Sequence, residues 1–254
     1  MRKLAIIGGG KMGEALIGGL VHSGWAPEDI IVSEIHEERR DALHKLYGVG
    51  ISASTSDAVR DASAILLAVK PQDFDAVLDE MAGVVNDSQL VLSIAAGIPI
   101  ALIERRLGAN VPVVRAMPNT PALLREGAAA IAAGSHATIA HMAHADEVLS
   151  AVCRVVHLPE KYLDAVTGVS GTGPAYVFFL AESLIEAAVG VGLPRDVATE
   201  LSIQTLLGAA RMLRETGKHP VELREEVTSP GGTTVAAMRV LERAGVRSAF
   251  LDAV

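Results

Sequence analysis

The clearest chemistry in the chain is carried by glycines. Residues 4–13, Leu-Ala-Ile-Ile-Gly-Gly-Gly-Lys-Met-Gly, set Gly8, Gly10 and Gly13 at the spacing G-x-G-x-x-G, after an apolar run and at the start of a helical pattern. In a strand–turn–helix unit, the first glycine allows the tight turn and the second lets a pyrophosphate approach the backbone. The third lets helix and strand pack closely. Gly9, Lys11 and Met12 complete the turn, whose unpaired N–H groups and helix dipole favour an anion. Glycine triplets also make ordinary turns; the placement inside a strand–helix–strand unit selects dinucleotide binding.

The next apolar run ends Val32-Ser33-Glu34, with Glu34 following Gly13 by 21 residues. A carboxylate there normally accepts the ribose 2′-OH and repels a 2′-phosphate, which favours NAD. Ser33 could instead hydrogen-bond a phosphate, and Arg39 and Arg40 follow within two helical turns. A solvated helix start with i,i+4 ion pairs accounts for those arginines equally well. This segment therefore leaves the choice between NAD and NADP open.

Three further segments belong at the carboxyl ends of strands, where ligands bind in open α/β sheets. Ala68-Val69-Lys70-Pro71 directs Lys70 towards cofactor or substrate, against the plainer reading of a solvated lysine before a helix. Ala95 and Ala96 are small enough for a ring or ribose to lie close. Arg115 to Pro121 forms a proline-fixed loop with Asn119 beside the same crevice. In the second half, Ser170 to Pro174 and Thr228 to Thr234 read as glycine-rich helix starts with hydroxyl caps. The second holds more hydroxyls and glycines than a cap needs, and its backbone N–H groups would suit a small carboxylate. His141 and His144 have no third ligand near them in sequence and read as a solvated helix face, so no metal is expected. Cys153 reads as a core filler at an apolar helix end.

These groups need a scaffold, and the patterning supplies one. Short apolar runs at Leu4–Ile7, Ile30–Val32, Ala64–Val69 and Leu90–Ile94 suit strands buried on both faces. Helical patterns at Lys11–His22, Glu37–Leu46, Pro71–Met81 and Pro99–Leu107 lie between and after them. Pro71 and Pro99 stand where a first helical turn tolerates proline. The alternation predicts an α/β fold with a doubly wound, mainly parallel sheet. Further strands are expected at Val111–Ala116 and Ala128–Ala132, with a helix over Ala140–Val152. Past Leu158-Pro159 the patterns are helical only, over Ala175–Val191, Asp196–Glu215, Val221–Glu226 and Thr233–Ala244. The expected organisation is a Rossmann-type domain over 1–159 and an all-helical domain over 160–254.

Composition narrows the function. A net charge of −8 and the lack of any dense basic cluster argue against nucleic acid as a partner. The single cysteine fits a reducing compartment. No signal-peptide pattern opens the chain, and Glu182 and Glu186 interrupt its most apolar stretch, so a cytoplasmic protein without a membrane span is expected.

Taken in order, Ile6–Gly13, Ala68–Pro71, Ile94–Ile98, Arg115–Pro121, Asp164–Tyr176 and Val227–Thr234 resemble the pyrroline-5-carboxylate reductase family. The most specific stretch is Val-Thr-Ser-Pro-Gly-Gly-Thr-Thr at 227–234. The resemblance implies reduction of the cyclic imine L-1-pyrroline-5-carboxylate to L-proline. It implies NADP(H) as cofactor, with NAD(H) accepted by some members. Residues 8–13, Ala68 to Pro71, and Ala95 with Ala96 would hold the cofactor. Ser229, Gly231, Gly232, Thr233 and Thr234 would hold the substrate, with Thr234 hydrogen-bonded to the ring nitrogen. An imine can enter as an iminium ion, already activated, so orientation and a carboxylate anchor matter more than an acid–base pair. The helical domains of the family interlock into dimers that assemble further, in larger rings for example. Three departures stand out. Thr55 replaces an asparagine near the adenosine ribose, Glu34 clouds the NADPH preference, and the chain stops at Val254, where relatives usually continue.

Two other readings compete with this one. A 6-phosphogluconate-type dehydrogenase or related imine reductase would need a lysine in the helical half, where only Lys161 and Lys218 occur. A non-catalytic dinucleotide sensor would have no use for the loop Ser229–Thr234.

Overall fold

The computed structural model describes residues 3–108 and 110–254. These form two compact units, one ending at Pro174 and the other spanning Ala175–Val254.

In the first unit, strands and helices alternate as the patterning requires. The elements are β1 (Leu4–Ile7), α1 (Lys11–His22), β2 (Ile30–Ser33), α2 (Glu37–Tyr47), β3 (Gly50–Ser52), α3 (Thr55–Val59) and β4 (Ala64–Leu67). They continue with α4 (Phe74–Met81), β5 (Leu90–Ser93), α5 (Ile100–Leu107), β6 (Val113–Pro118), β7 (Gly127–Ala133), α6 (Ile139–Ser150), β8 (Cys153–His157) and the short α7 (Leu163–Val166). The sheet runs β3-β2-β1-β4-β5-β6-β7-β8. Every neighbouring pair is parallel except β6 with β7. The strand order reverses between β1 and β4, the switch point outside which such sheets bind ligands.

Period-two alternation divides the strands between two cores. Leu4 and Ile6 face Leu16, Ile17 and Leu20 of α1, Leu43 of α2 and Val148 of α6. Ala5 and Ile7 face the other layer, with Phe74, Leu78 and Ile103. Leu163, past residue 159, is fully buried in that second core.

Some expectations need correction. The strands β3 and β8 were not anticipated: three residues are too few for a pattern, and only Cys153 of β8 is fully buried. Cys153 therefore opens a strand and does not end a helix. Pro71 opens a separate 3₁₀ turn (Pro71–Asp73) before α4, and Pro99 is extended and precedes α5. His141 and His144 do not share a solvated face. His141 caps α6 through Thr138, and His144 stacks on Trp25.

Past His157 the described residues hold no strand. The chain follows α8 (Gly173–Gly190), α9 (Arg195–Thr216), α10 (Pro220–Glu226), α11 (Thr233–Arg243) and α12 (Val246–Ala253), the last unanticipated. In the second unit Ala198, Ser202 and Leu223 are buried, while Val177, Phe178 and Phe179 of α8 lie exposed.

Candidate functional site

The glycine loop joins β1 to α1 at the switch point. Gly8 sits at φ +103°, and its N–H donates to the Ser33 carbonyl at 2.8 Å. A Cβ there would stand 2.8 Å from the Ala68 carbonyl oxygen. At Gly13 a Cβ would fall 2.2 Å from the Gly8 carbonyl oxygen, so this glycine serves helix–loop packing. Gly10 differs: a Cβ there would have nothing within 4 Å. It precedes the first turn of α1 with no side-chain cap, leaving the opening N–H groups of the helix without intrahelical partners. An open cradle at the dipole's positive end fits a pyrophosphate.

A crevice of about 300 Å³ opens there. Gly8 and Gly10 bound it on one side, and Ala68, Val69 and Lys70 on the other. Ser33, Glu34, Ile35 and His36 close it at the end of β2, beside Thr55. Of the residues expected at the cofactor, the structure thus brings seven to one crevice: Gly8, Gly10, Ser33, Glu34, Ala68, Val69 and Lys70. Lys11 and Met12 stand at the adjoining helix start, where only their backbone N–H groups point to the same task.

Others lie elsewhere. Gly9 faces α2, where a Cβ would meet Leu43 at 2.6 Å. Pro71 begins its 3₁₀ turn outside the crevice lining. The Ala95 side chain is buried in the core, and Ala96 is exposed beyond the end of β5. Asn119 uses both ends of its amide structurally, donating to the Ser170 carbonyl at 2.9 Å and accepting from the Ala128 N–H at 2.8 Å.

Glu34 is more engaged than its position in sequence suggests. Its Oε2 accepts the Gly9 N–H and its Oε1 accepts the His36 N–H, each at 3.0 Å. Arg39 and Arg40 are neither in the crevice nor paired along their own helix. Arg39 donates to the Gly9 carbonyl at 2.7 Å and pairs with Glu14 at 2.5 Å. Arg40 donates to the Glu34 and Ile35 carbonyls. Ile35, 79 % exposed, and His36 line the crevice and were missed. The available signal was their place directly after Glu34 at a strand's carboxyl end.

In the second unit, the loop ahead of α11 is built by backbone. Gly231 takes φ +72°, and the Gly232 N–H donates to the Ser229 carbonyl at 3.0 Å. A Cβ on Gly232 would lie 2.5 Å from the Ser229 hydroxyl. No side chain caps α11, so Ser229, Thr233 and Thr234 are not its caps. Ahead of α8 the hydroxyls engage the preceding turn: Ser170 and Thr172 donate back to its carbonyls, around a π-helical stretch (Thr167–Gly171).

Cys153 is a poor nucleophile. Burial, opposed by a hydrogen bond from the Asn119 backbone, pushes its thiol up to about 11. Among the described residues, no group of three or more His, Cys, Asp or Glu side chains could hold a metal.

Comparison with known proteins joins the two units. A family model described as pyrroline-5-carboxylate reductase dimerisation matches residues 160–254, and one described as NADP oxidoreductase, coenzyme F420-dependent, matches residues 3–97. The pyrroline-5-carboxylate reductase of Synechocystis sp. is 47% identical over 253 residues, covering 99% of this chain and 94% of its own. The structure of a pyrroline-5-carboxylate reductase from Coxiella burnetii superposes with a TM-score of 0.93 at 36% identity, covering 99% and 94% of the two chains. The Plasmodium falciparum pyrroline carboxylate reductase, solved with NADP bound, gives 0.88 at 28% identity, again covering 99% and 94%.

Proposed function

This chain belongs to the pyrroline-5-carboxylate reductase family, and from that membership we infer how its residues divide the work. It is an oxidoreductase of proline biosynthesis that reduces L-1-pyrroline-5-carboxylate to L-proline with NAD(P)H.

The observation that carries the assignment of the cofactor site is the open cradle at Gly10, facing a crevice shared by the β1, β2 and β4 ends. Gly8, Gly10 and the first N–H groups of α1 would hold a pyrophosphate, with Ser33, Glu34 and Thr55 around the adenosine ribose. When bound, the nicotinamide supplies the hydride. Lys70, exposed at the crevice rim, adds positive charge on the side away from Glu34.

For the substrate, Ser229, Gly231 and Thr233 offer backbone N–H groups and hydroxyls to a carboxylate, and Gly232, whose N–H closes the turn on Ser229, leaves room for it. The Thr234 hydroxyl orients the ring nitrogen, a positioning role for an imine already activated by its proton. These hydroxyls are not used as helix caps, which supports a ligand as their partner. The 6-phosphogluconate-type alternative finds no lysine inside a long helix. Lys161 lies over the Tyr162 ring in a 3₁₀ turn, and Lys218 pairs with Glu226 beyond α9.

We read residues 160–254 as the substrate and dimerisation region and the protein as a cytoplasmic homo-oligomer, built from dimers, that binds neither nucleic acid nor membrane. The stretch Glu160–Gly190 is long and apolar enough to cross a membrane by composition. Glu182 and the Glu186–Arg195 pair on the same surface favour a protein partner over lipid. Mixing protein, NADPH and pyrroline-5-carboxylate and following loss of nicotinamide absorbance tests the activity. No loss of absorbance above the protein-free control would refute it.

A further inference from the structure

We propose that Arg39 and Glu34 are positioning residues that grip Gly9 by its carbonyl and its amide, holding the glycine loop ready for the pyrophosphate of either cofactor. The proposal rests on the cofactor reading above. Three consecutive glycines link β1 to α1, and glycine has the most backbone freedom to lose on ordering. With no side chain of its own, the loop must take its shape from outside. Glu34 Oε2 holds the Gly9 N–H at 3.0 Å, and Arg39 Nε holds the Gly9 carbonyl at 2.7 Å. Both bonds are charge-assisted and fall on one residue, between the two glycines that bound the crevice.

The clamp is itself braced. Arg39 pairs with Glu14, one turn into the helix that the loop opens, and the Tyr47 hydroxyl donates to the other Glu14 oxygen at 3.4 Å. Glu34 is fixed by the His36 N–H, and Arg40 holds the Glu34 carbonyl. An arginine shortly after the acidic residue of β2 is the group that ordinarily accommodates a 2′-phosphate. Here that guanidinium points behind the loop, and neither arginine lines the crevice. Loss of Arg39 should therefore weaken NADPH and NADH together.

The test compares parent, Arg39→Met and Glu14→Gln in cofactor titrations by nicotinamide fluorescence and in steady-state kinetics. Arg39→Met should raise Kd and KM about tenfold for NADPH and for NADH alike, the loss of one charge-assisted hydrogen bond. The ratio of the two cofactors, kcat at saturating cofactor and KM for the imine should stay within about twofold. Glu14→Gln, which removes only the brace, should weaken both cofactors in parallel by a smaller factor, and it carries the test if Arg39→Met does not fold. Weakening confined to NADPH would make Arg39 a phosphate reader and overturn the clamp. Unchanged affinity for both cofactors would overturn it too, while leaving the cofactor site intact. A parent protein that bound neither cofactor would overturn the underlying reading and the clamp with it.

Discussion

The Arg115 guanidinium meets the Glu160 carboxylate at 3.1 Å, and the same carboxylate oxygen accepts the Ile100 N–H at 2.8 Å. One acidic group thus ties β6 to the start of α5 and to the 3₁₀ turn (Glu160–Tyr162) that leaves the sheet. Arg115 is buried, Glu160 is about a third exposed, and Asp164 lies at 3.5 Å as a second, solvated partner.

Removing Glu160 should therefore cost less than the ~3–5 kcal/mol typical of breaking a fully buried pair. Glu160→Ala is expected to lower unfolding stability by about 2 kcal/mol, read from the urea midpoint at unchanged slope. A midpoint equal to the parent's would show that Asp164 replaces it completely.

Gly10 and Gly13 should respond oppositely to a side chain. A Cβ added at Gly10 meets nothing within 4 Å, so in Gly10→Val the melting temperature should hold while NADPH binding falls beyond detection in a fluorescence titration. Gly13→Val drives its Cβ against the Gly8 carbonyl oxygen and should lower the melting temperature itself. A folded Gly10→Val protein with parental NADPH affinity would remove Gly10 from the site.

Much of this was legible in the sequence because it depends on local need. Gly8 at φ +103° and the close approach at Gly13 require glycine whatever surrounds them. The runs at 4–7 and 64–67 are apolar throughout because both faces are buried. By contrast, β8 is buried fully only at Cys153, so its pattern carried little signal. The position of Glu34 could be read, but its partner could not. Which way the Gly9 peptide points, and that Arg39 reaches back 30 residues to it, are properties of the packed loop. The Asn119 partners were hidden for the same reason: its amide serves Ser170 and Ala128, contacts that spacing does not reveal.

The buried Cys153 thiol should leave a mark at alkaline pH. Its folded value of about 11 lies above the ordinary 9.0, so the folded state resists forming the thiolate. Its stability contribution is whole below pH 9 and is lost as the pH rises through 11, by at most ~3 kcal/mol. Cys153→Ala should therefore close the gap between the urea midpoints at pH 8 and pH 10.5 relative to the parent. An identical pH dependence in the two proteins would show that the thiol is not buried as described.

Thr234→Val keeps the shape of the side chain and removes its hydroxyl. Because that hydroxyl does not cap α11, the melting temperature should stay within a degree or so. Loss of one oriented hydrogen bond to the ring nitrogen, ~1–3 kcal/mol, corresponds to roughly ten- to hundredfold in kcat/KM. Parental efficiency in a correctly folded variant would remove Thr234 from the site.

The last prediction concerns α8, which is too apolar to remain as open as one chain leaves it. Phe178 and Phe179 are 67% and 71% exposed, and Val177, Leu180 and Leu184 are exposed beside them. Burying each large side chain contributes roughly 1.5–3 kcal/mol, so a surface holding several in a row has strong reason to associate. Polar groups interrupt it too often for lipid: Glu182 sits between Leu180 and Leu184, and Glu186 is paired with Arg195. A second copy of the same face satisfies both requirements, since isologous pairing buries the phenylalanines at the centre and leaves the carboxylates at a polar rim. The protein is therefore expected to sediment as a dimer or a multiple of one at nanomolar concentration. Phe179→Asp should shift it towards monomer and abolish turnover, while the Rossmann-type unit retains NADPH binding by fluorescence. A parent protein that sediments as an active monomer at nanomolar concentration would refute the pairing.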